Sequence, residues 1–215
     1  MTRLGREFVN LFDHWAENYD ETVNGKDNEY HEVFEDYDLI LTKVTELAKG
    51  TVLEFGVGTG NLTDKLLQAG LYVYGVEPST AMREKAKARF PELEVADGDF
   101  LQYPAFEKTI ETIVSTYAFH HLTDEEKRLA IRKYGDFLPS GGKIVFADTV
   151  FADESAKADL FERVRKQEYE NLLHDLQTEF YTFKNVLEQI FTQSGFDVSF
   201  MQLNRYVWLI DAVKR

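Results

Sequence analysis

Three glycines at alternate positions, Gly56, Gly58 and Gly60, follow an apolar run in the stretch VLEFGVGTGNL, and Glu54 stands just before them. A turn that gives up side chains this densely leaves its backbone N–H groups open. A helix beginning at Asn61 would aim its positive end at the same place. That arrangement suits an anionic group, either a carboxylate or a phosphate. A second acid, Glu77, closes the next apolar run, and Asp99 stands in ADGDF beside Asp97. Carboxylates so placed can accept charge-assisted hydrogen bonds from a ligand's donors. Further on, STYAFHHL carries Tyr117, Phe119, His120 and His121. An aromatic face such as Tyr19 or Tyr117 can stabilise a cation. His120 is a candidate general base.

Three readings of the glycine loop compete. A phosphate-binding Walker loop needs Gly-Lys-Ser/Thr after the turn, and GTGNLT has no lysine there. In a dinucleotide loop the last Gly or Ala falls on Asn61, so a helix would pack less closely under a pyrophosphate. What remains is E-x-G-x-G-x-G, with Glu54 either touching a ligand or organising the loop through backbone N–H groups. Adjacent histidines on an extended segment face opposite sides and chelate poorly. His14, His31 and His174 lie far apart, and no metal is expected.

These residues need a frame. Strands are read at TVLEFG, LYVYGVE, LEVADGDF, TIVSTYAF and KIVFADT, separated by helices at about 61–69, from Ser79, and from a Thr123/Glu126 capping box to Phe137. Alternation with short connections predicts a parallel sheet with helices on both faces. Phe8, Phe12, Trp15 and Tyr19 recur at helical spacing over 6–20, and a second helix is expected from about Glu29 to Lys49. Residues 153–180 read as one long charged helix, placed as an insertion over the carboxyl ends of the strands, where open α/β sheets bind ligands. Within it Arg163, Arg165 and Lys166, with Arg205 later, form a candidate anion-attracting group. A helix over about 183–195 precedes FDVSF and RYVWLIDAV, a late antiparallel hairpin at a sheet edge.

At 215 residues the chain is expected to form one domain, divided into N-terminal cap helices (1–50), a cofactor-binding core (51–150), a helical cap (151–185) and a C-terminal helix and hairpin (186–215). Thirty-eight acidic residues against 24 basic ones give a net charge of −14, which disfavours nucleic acid and anionic membranes as partners. There is no cysteine, which fits a reducing cytoplasm. No signal peptide or membrane span is read, and the oligomeric state leaves no mark.

VLEFGVGTGNL resembles the first motif of class I S-adenosylmethionine-dependent methyltransferases, and the similarity extends over most of the chain. VYGVEPS resembles that family's second strand, whose terminal acid, here Glu77, holds the ribose hydroxyls, with Pro78 beside it. DGDF resembles the adenine-contacting turn, with Asp99 toward the amine and Phe100 against the ring. IVSTYAFHHL resembles the fourth-strand motif beneath the reacting methyl, and FLPSGGKIVFAD the approach to the fifth strand. FDHWAENYDETVNG resembles a helix that closes over the cofactor in small-molecule members. Taken whole, the chain is most similar to the YrrT-type methyltransferases of Gram-positive bacteria.

The resemblance implies a Rossmann-like, seven-stranded α/β fold, mostly parallel with an antiparallel C-terminal hairpin and a helical cap. It implies S-adenosylmethionine held by Glu54, Gly56, Gly58, Gly60, Glu77, Pro78, Asp99, Phe100 and Tyr117, and methyl transfer to a small molecule. Tyr19 and His120 are the candidate catalytic residues. A nicotinamide-dependent oxidoreductase and a non-catalytic cofactor-binding module are the rival readings.

Overall fold

A computed structural model describes residues 22–215. The helix expected over 6–20, and with it Tyr19, lies outside the described residues. The apolar runs become β1 (Thr51–Phe55), β2 (Tyr72–Val76), β3 (Glu94–Ala96), β4 (Thr112–Thr116) and β5 (Lys143–Phe151). They pair in parallel in the order β3-β2-β1-β4-β5. The hairpin β7 (Phe196–Gln202) and β8 (Val207–Lys214) extends this sheet, with β8 antiparallel to both β5 and β7 and β7 at the edge. A two-residue strand, β6 (Thr182–Phe183), adds to the end of β5. The strand order reverses between β1 and β4, which opens a crevice at their carboxyl ends.

Successive residues of the central strands feed opposite faces. Val52, Val114, Val145 and Ala147 pack with α1 (Tyr37–Leu47) and α2 (Asn61–Gln68). Leu53, Phe55, Ile113, Ile144 and Phe146 pack with α4 (Asp124–Phe137) and α7 (Lys184–Gln193). Burial on both faces is why these strands read as continuous apolar runs. Phe55 stacks between Phe100 at 5.1 Å and Tyr134 at 5.4 Å, and the Tyr134 hydroxyl donates to the Phe100 carbonyl at 2.7 Å. Burying one such ring stabilises the fold by about 1.5–3 kcal/mol.

Helix starts follow the sequence signals. Ser79 accepts from the Met82 N–H at the start of α3 (Thr80–Arg89), and Thr123 and Glu126 form the complete capping box of α4. Three expectations need correction. The helix expected over 29–49 is α1 alone, because Asp36 takes a left-handed φ of 59° and the chain before it runs in turns. The long charged helix is two, α5 (Glu154–Lys166) and α6 (Glu170–Thr178), broken where Glu168 takes a φ of 57°. The fourth strand ends at Thr116; Tyr117 turns left-handed and Phe119–His121 form a 3₁₀ turn. Among the described residues no helix is long and apolar enough to cross a membrane.

Candidate active site

The glycine loop bridges β1 and α2 against the end of β2. The Gly56 N–H donates to the Val76 carbonyl at 2.9 Å, and Gly60 stands at the N-cap of α2 with a φ of 89°. A Cβ on Gly60 would lie 2.8 Å from the Phe90 ring, so close packing excludes a side chain there. Gly58 differs: its φ of 56° favours glycine, yet a Cβ would meet nothing within 4 Å. The space above Gly58 is therefore open, in a small cleft among Tyr37, Glu54, Gly56, Gly58, Asn61 and Thr116.

Two acids hold this loop. Glu77 is buried at the end of β2; one carboxylate oxygen accepts the Gly58 N–H at 2.9 Å and the other the Ser79 N–H at 2.8 Å. Glu54 is also buried and accepts from the Thr63 hydroxyl at 2.6 Å, tying β1 to the first turn of α2. Burial pushes the Glu54 carboxyl up to about 8.

Asp99 accepts the Leu101 and Gln102 N–H groups, both at 2.8 Å, and so shapes the turn after β3. Phe100 is a core residue, stacked on Phe55 and edge-on to Phe119 at 5.4 Å. Pro78 is half-buried, and its carbonyl accepts from Arg83 at 2.9 Å. Tyr117 has a φ of 53°, a conformation a bulky residue holds only when its surroundings impose it. Its ring lies 5.0 Å from Phe34 and 5.6 Å from Tyr37.

His120 stands between two carboxylates. Its Nδ1 is 2.6 Å from Asp148 Oδ1 and its Nε2 3.0 Å from Glu179 Oε2. Asp148 Oδ2 also accepts the His120 backbone N–H at 2.9 Å, and Tyr181 stacks on the imidazole at 4.8 Å. Burial alone would push the imidazole down, but Asp148 and Glu179 outweigh it and lift His120 to about 10. Burial likewise opposes the charge on Glu179, but His120 holds that carboxyl down to about 2. His121 is driven down to about 3 by burial and by the charge on His120. Lys127, buried beneath, donates to the carbonyls of Leu122 and Phe180. The adjacent histidines do not face opposite sides: the 3₁₀ turn sets their rings 4.2 Å apart.

Sequence reasoning missed Asp148, Glu179 and Tyr181. The available signal was a lone acid, Asp148, inside the otherwise apolar KIVFADTVF of β5. The candidate anion-attracting cations are largely paired: Arg163 at α5 and Arg205 before β8 share Glu32, and Lys166 meets Glu162. Glu29 accepts the Asn171 and Leu172 N–H groups, capping α6 from a distant part of the chain.

The strand order, the crevice and the glycine loop at its mouth define the fold of class I S-adenosylmethionine-dependent methyltransferases. A methyltransferase-domain family model matches residues 52–142. Magnesium protoporphyrin IX methyltransferase from Synechocystis PCC 6803, with bound SAH, superposes with a TM-score of 0.74 at 15% identity, covering 96% of this chain and 98% of that one. Human N-acetylserotonin methyltransferase gives 0.71 at 15% identity over 99% of this chain and 59% of its own. Relatives named uncharacterized methyltransferase are far nearer in sequence. One from Anoxybacillus flavithermus is 50% identical over 99% of this chain and all of its own. Another from Geobacillus thermodenitrificans is 53% identical over 99% of both. The chain belongs to this family of methyltransferases.

Proposed function

We propose that the chain transfers the methyl group of S-adenosylmethionine to a small-molecule acceptor by in-line displacement at the carboxyl ends of β1, β2 and β4. One observation carries the reading: buried Glu77 holds the glycine loop by the Gly58 N–H and the start of α3 by the Ser79 N–H, beneath open space over Gly58. An ionised carboxylate offers about four acceptor sites. A carboxylate at this strand end is of the kind that accepts the hydroxyls of a ribose diol. The loop N–H groups and the N-terminus of α2 suit the carboxylate of the amino-acid end. Asp99 and Pro78 flank the adenine end; Phe100 supports that turn from within the core.

S-adenosylmethionine supplies an electrophilic methyl carbon on a positively charged sulfur. Tyr117, fixed by its backbone and by Phe34, offers an aromatic face to that cation. The charge disappears during transfer, so these residues contribute mainly by alignment and by excluding water. His120 is not free to act as a general base, since carboxylates engage both ring nitrogens. We read it as a positioning residue that fixes the turn after Tyr117 to β5. Tyr19, outside the described residues, stays assigned to the closing helix. A small acceptor agrees with a net charge of −14, which repels nucleic-acid backbones, and the cysteine-free chain suits the cytoplasm.

Calorimetry with S-adenosylmethionine and SAH tests the donor, and a metabolite screen reading SAH release tests the acceptor. Gly58→Val is expected to weaken donor binding at least about 100-fold, since valine there meets an unfavourable φ and fills the open space. Absence of donor binding, together with a fluorescence change on titrating NADH, would replace methyl transfer with redox chemistry.

A further inference from the structure

We propose that His120, His121 and Glu179 form a binding site for one divalent transition-metal ion of the zinc type, with Asp148 orienting His120 from behind. The inference concerns the protein's own donor atoms and does not depend on the methyl-transfer reading. One ligand atom from each residue lies within 4.8 Å of the other two, and both histidines are buried. His120 Nε2 is 3.0 Å from Glu179 Oε2, and His121 Nδ1 is 3.9 Å from Glu179 Oε1. Ligands bound at about 2.0 Å around a tetrahedral ion stand roughly 3.3 Å apart. The two edges bracket that value, so small rotations of the Glu179 carboxylate and the His121 ring would bring these donors to ligand spacing.

The neighbours support the same assignment. Asp148 takes His120 Nδ1 at 2.6 Å and the His120 backbone N–H at 2.9 Å, which leaves Nε2 as the nitrogen turned toward Glu179. A carboxylate on the far nitrogen of a ligating histidine is the usual support of such sites. Two imidazoles and one carboxylate select zinc, cobalt or nickel over magnesium or calcium, and leave a fourth coordination position for an outside ligand. Asp148 and Glu179 together balance the charge of a dication. Lys127, whose charge opposes a cation there, is directed at the Leu122 and Phe180 carbonyls. Such an ion would tie the turn after β4 to the connection between α6 and β6.

The test uses tag-free, chelator-stripped protein titrated with Co(II) alone, read by the visible absorption of four-coordinate cobalt. The expected result is saturation at one equivalent. His121→Ala and Glu179→Gln should each lower Co(II) affinity at least about 100-fold, and Asp148→Asn, which leaves all three ligands, about 10–100-fold. Thermal melts confirm that each variant is folded. Wild-type protein without a saturable cobalt spectrum overturns the proposal whatever the variants do. So does a folded His121→Ala that binds like wild type, which would leave the cluster as a proton-bridged ion pair only.

Discussion

The two sides of the crevice between β1 and β4 are built from different materials. On the β1–β2 side the loop exposes backbone, and its acids, Glu54 and Glu77, hold N–H groups and a hydroxyl of the turns and helix start beside them. On the β4–β5 side the elements are tied by buried ionisable side chains: Asp148, His120, Glu179 and Lys127 come from four separate segments. The first side suits a ligand that every homologous reaction shares. The second stakes stability on specific charges, and so ties the connection after α6 to the chemistry of one cluster.

That contrast can be broken most forcefully at Asp148. Asp148→Ala leaves His120 with one carboxylate in a buried setting, and a loss of about 3–5 kcal/mol is expected in urea unfolding. A loss below about 1 kcal/mol would mean that the cluster is not held by charge. On the loop side the sharper probe is pH. Glu54 has an ordinary value near 4.5 in the unfolded chain and about 8 when folded. Between those values the native state binds more protons than the unfolded one, so this group's contribution falls as pH rises through the window. Wild type should therefore lose stability steadily relative to Glu54→Gln from pH 5 to pH 8; parallel curves would show Glu54 already ionised in the folded chain. The smallest effect belongs to the exposed face of α5. Arg163 pairs with Glu32 near solvent, and Arg163→Ala should cost no more than about 1 kcal/mol, fading with salt.

The same contrast sets what the sequence discloses. Strands β1, β2, β4 and β5 are legible because burial on both faces makes them apolar runs, and the capping box at Thr123 and Glu126 marks a helix start by local chemistry alone. Glu77 is legible because its partners, Gly58 and Ser79, belong to motifs of fixed spacing. The His120–Asp148–Glu179 cluster is not, since it joins residues brought together only by the sheet order and by the return of the chain after α6. The break at Glu168 escapes for another reason: a left-handed residue inside a charged stretch carries no distinctive side chain. Phe100 shows the limit of motif reasoning, since an aromatic after the turn acid can serve the core below as well as a ligand above.

The short strand β6 has a consequence beyond its two residues. By pairing Thr182 with Val150 and Phe183 with Phe151, it brings the chain back to the point of the sheet it left. Everything between, α5 and α6 included, is an excursion fastened at its base. For such a loop each doubling of length costs only about 0.6 kcal/mol of closure entropy. A change in the excursion's length is thus cheap in closure entropy, and its base stands across β4 from the glycine loop and Glu77.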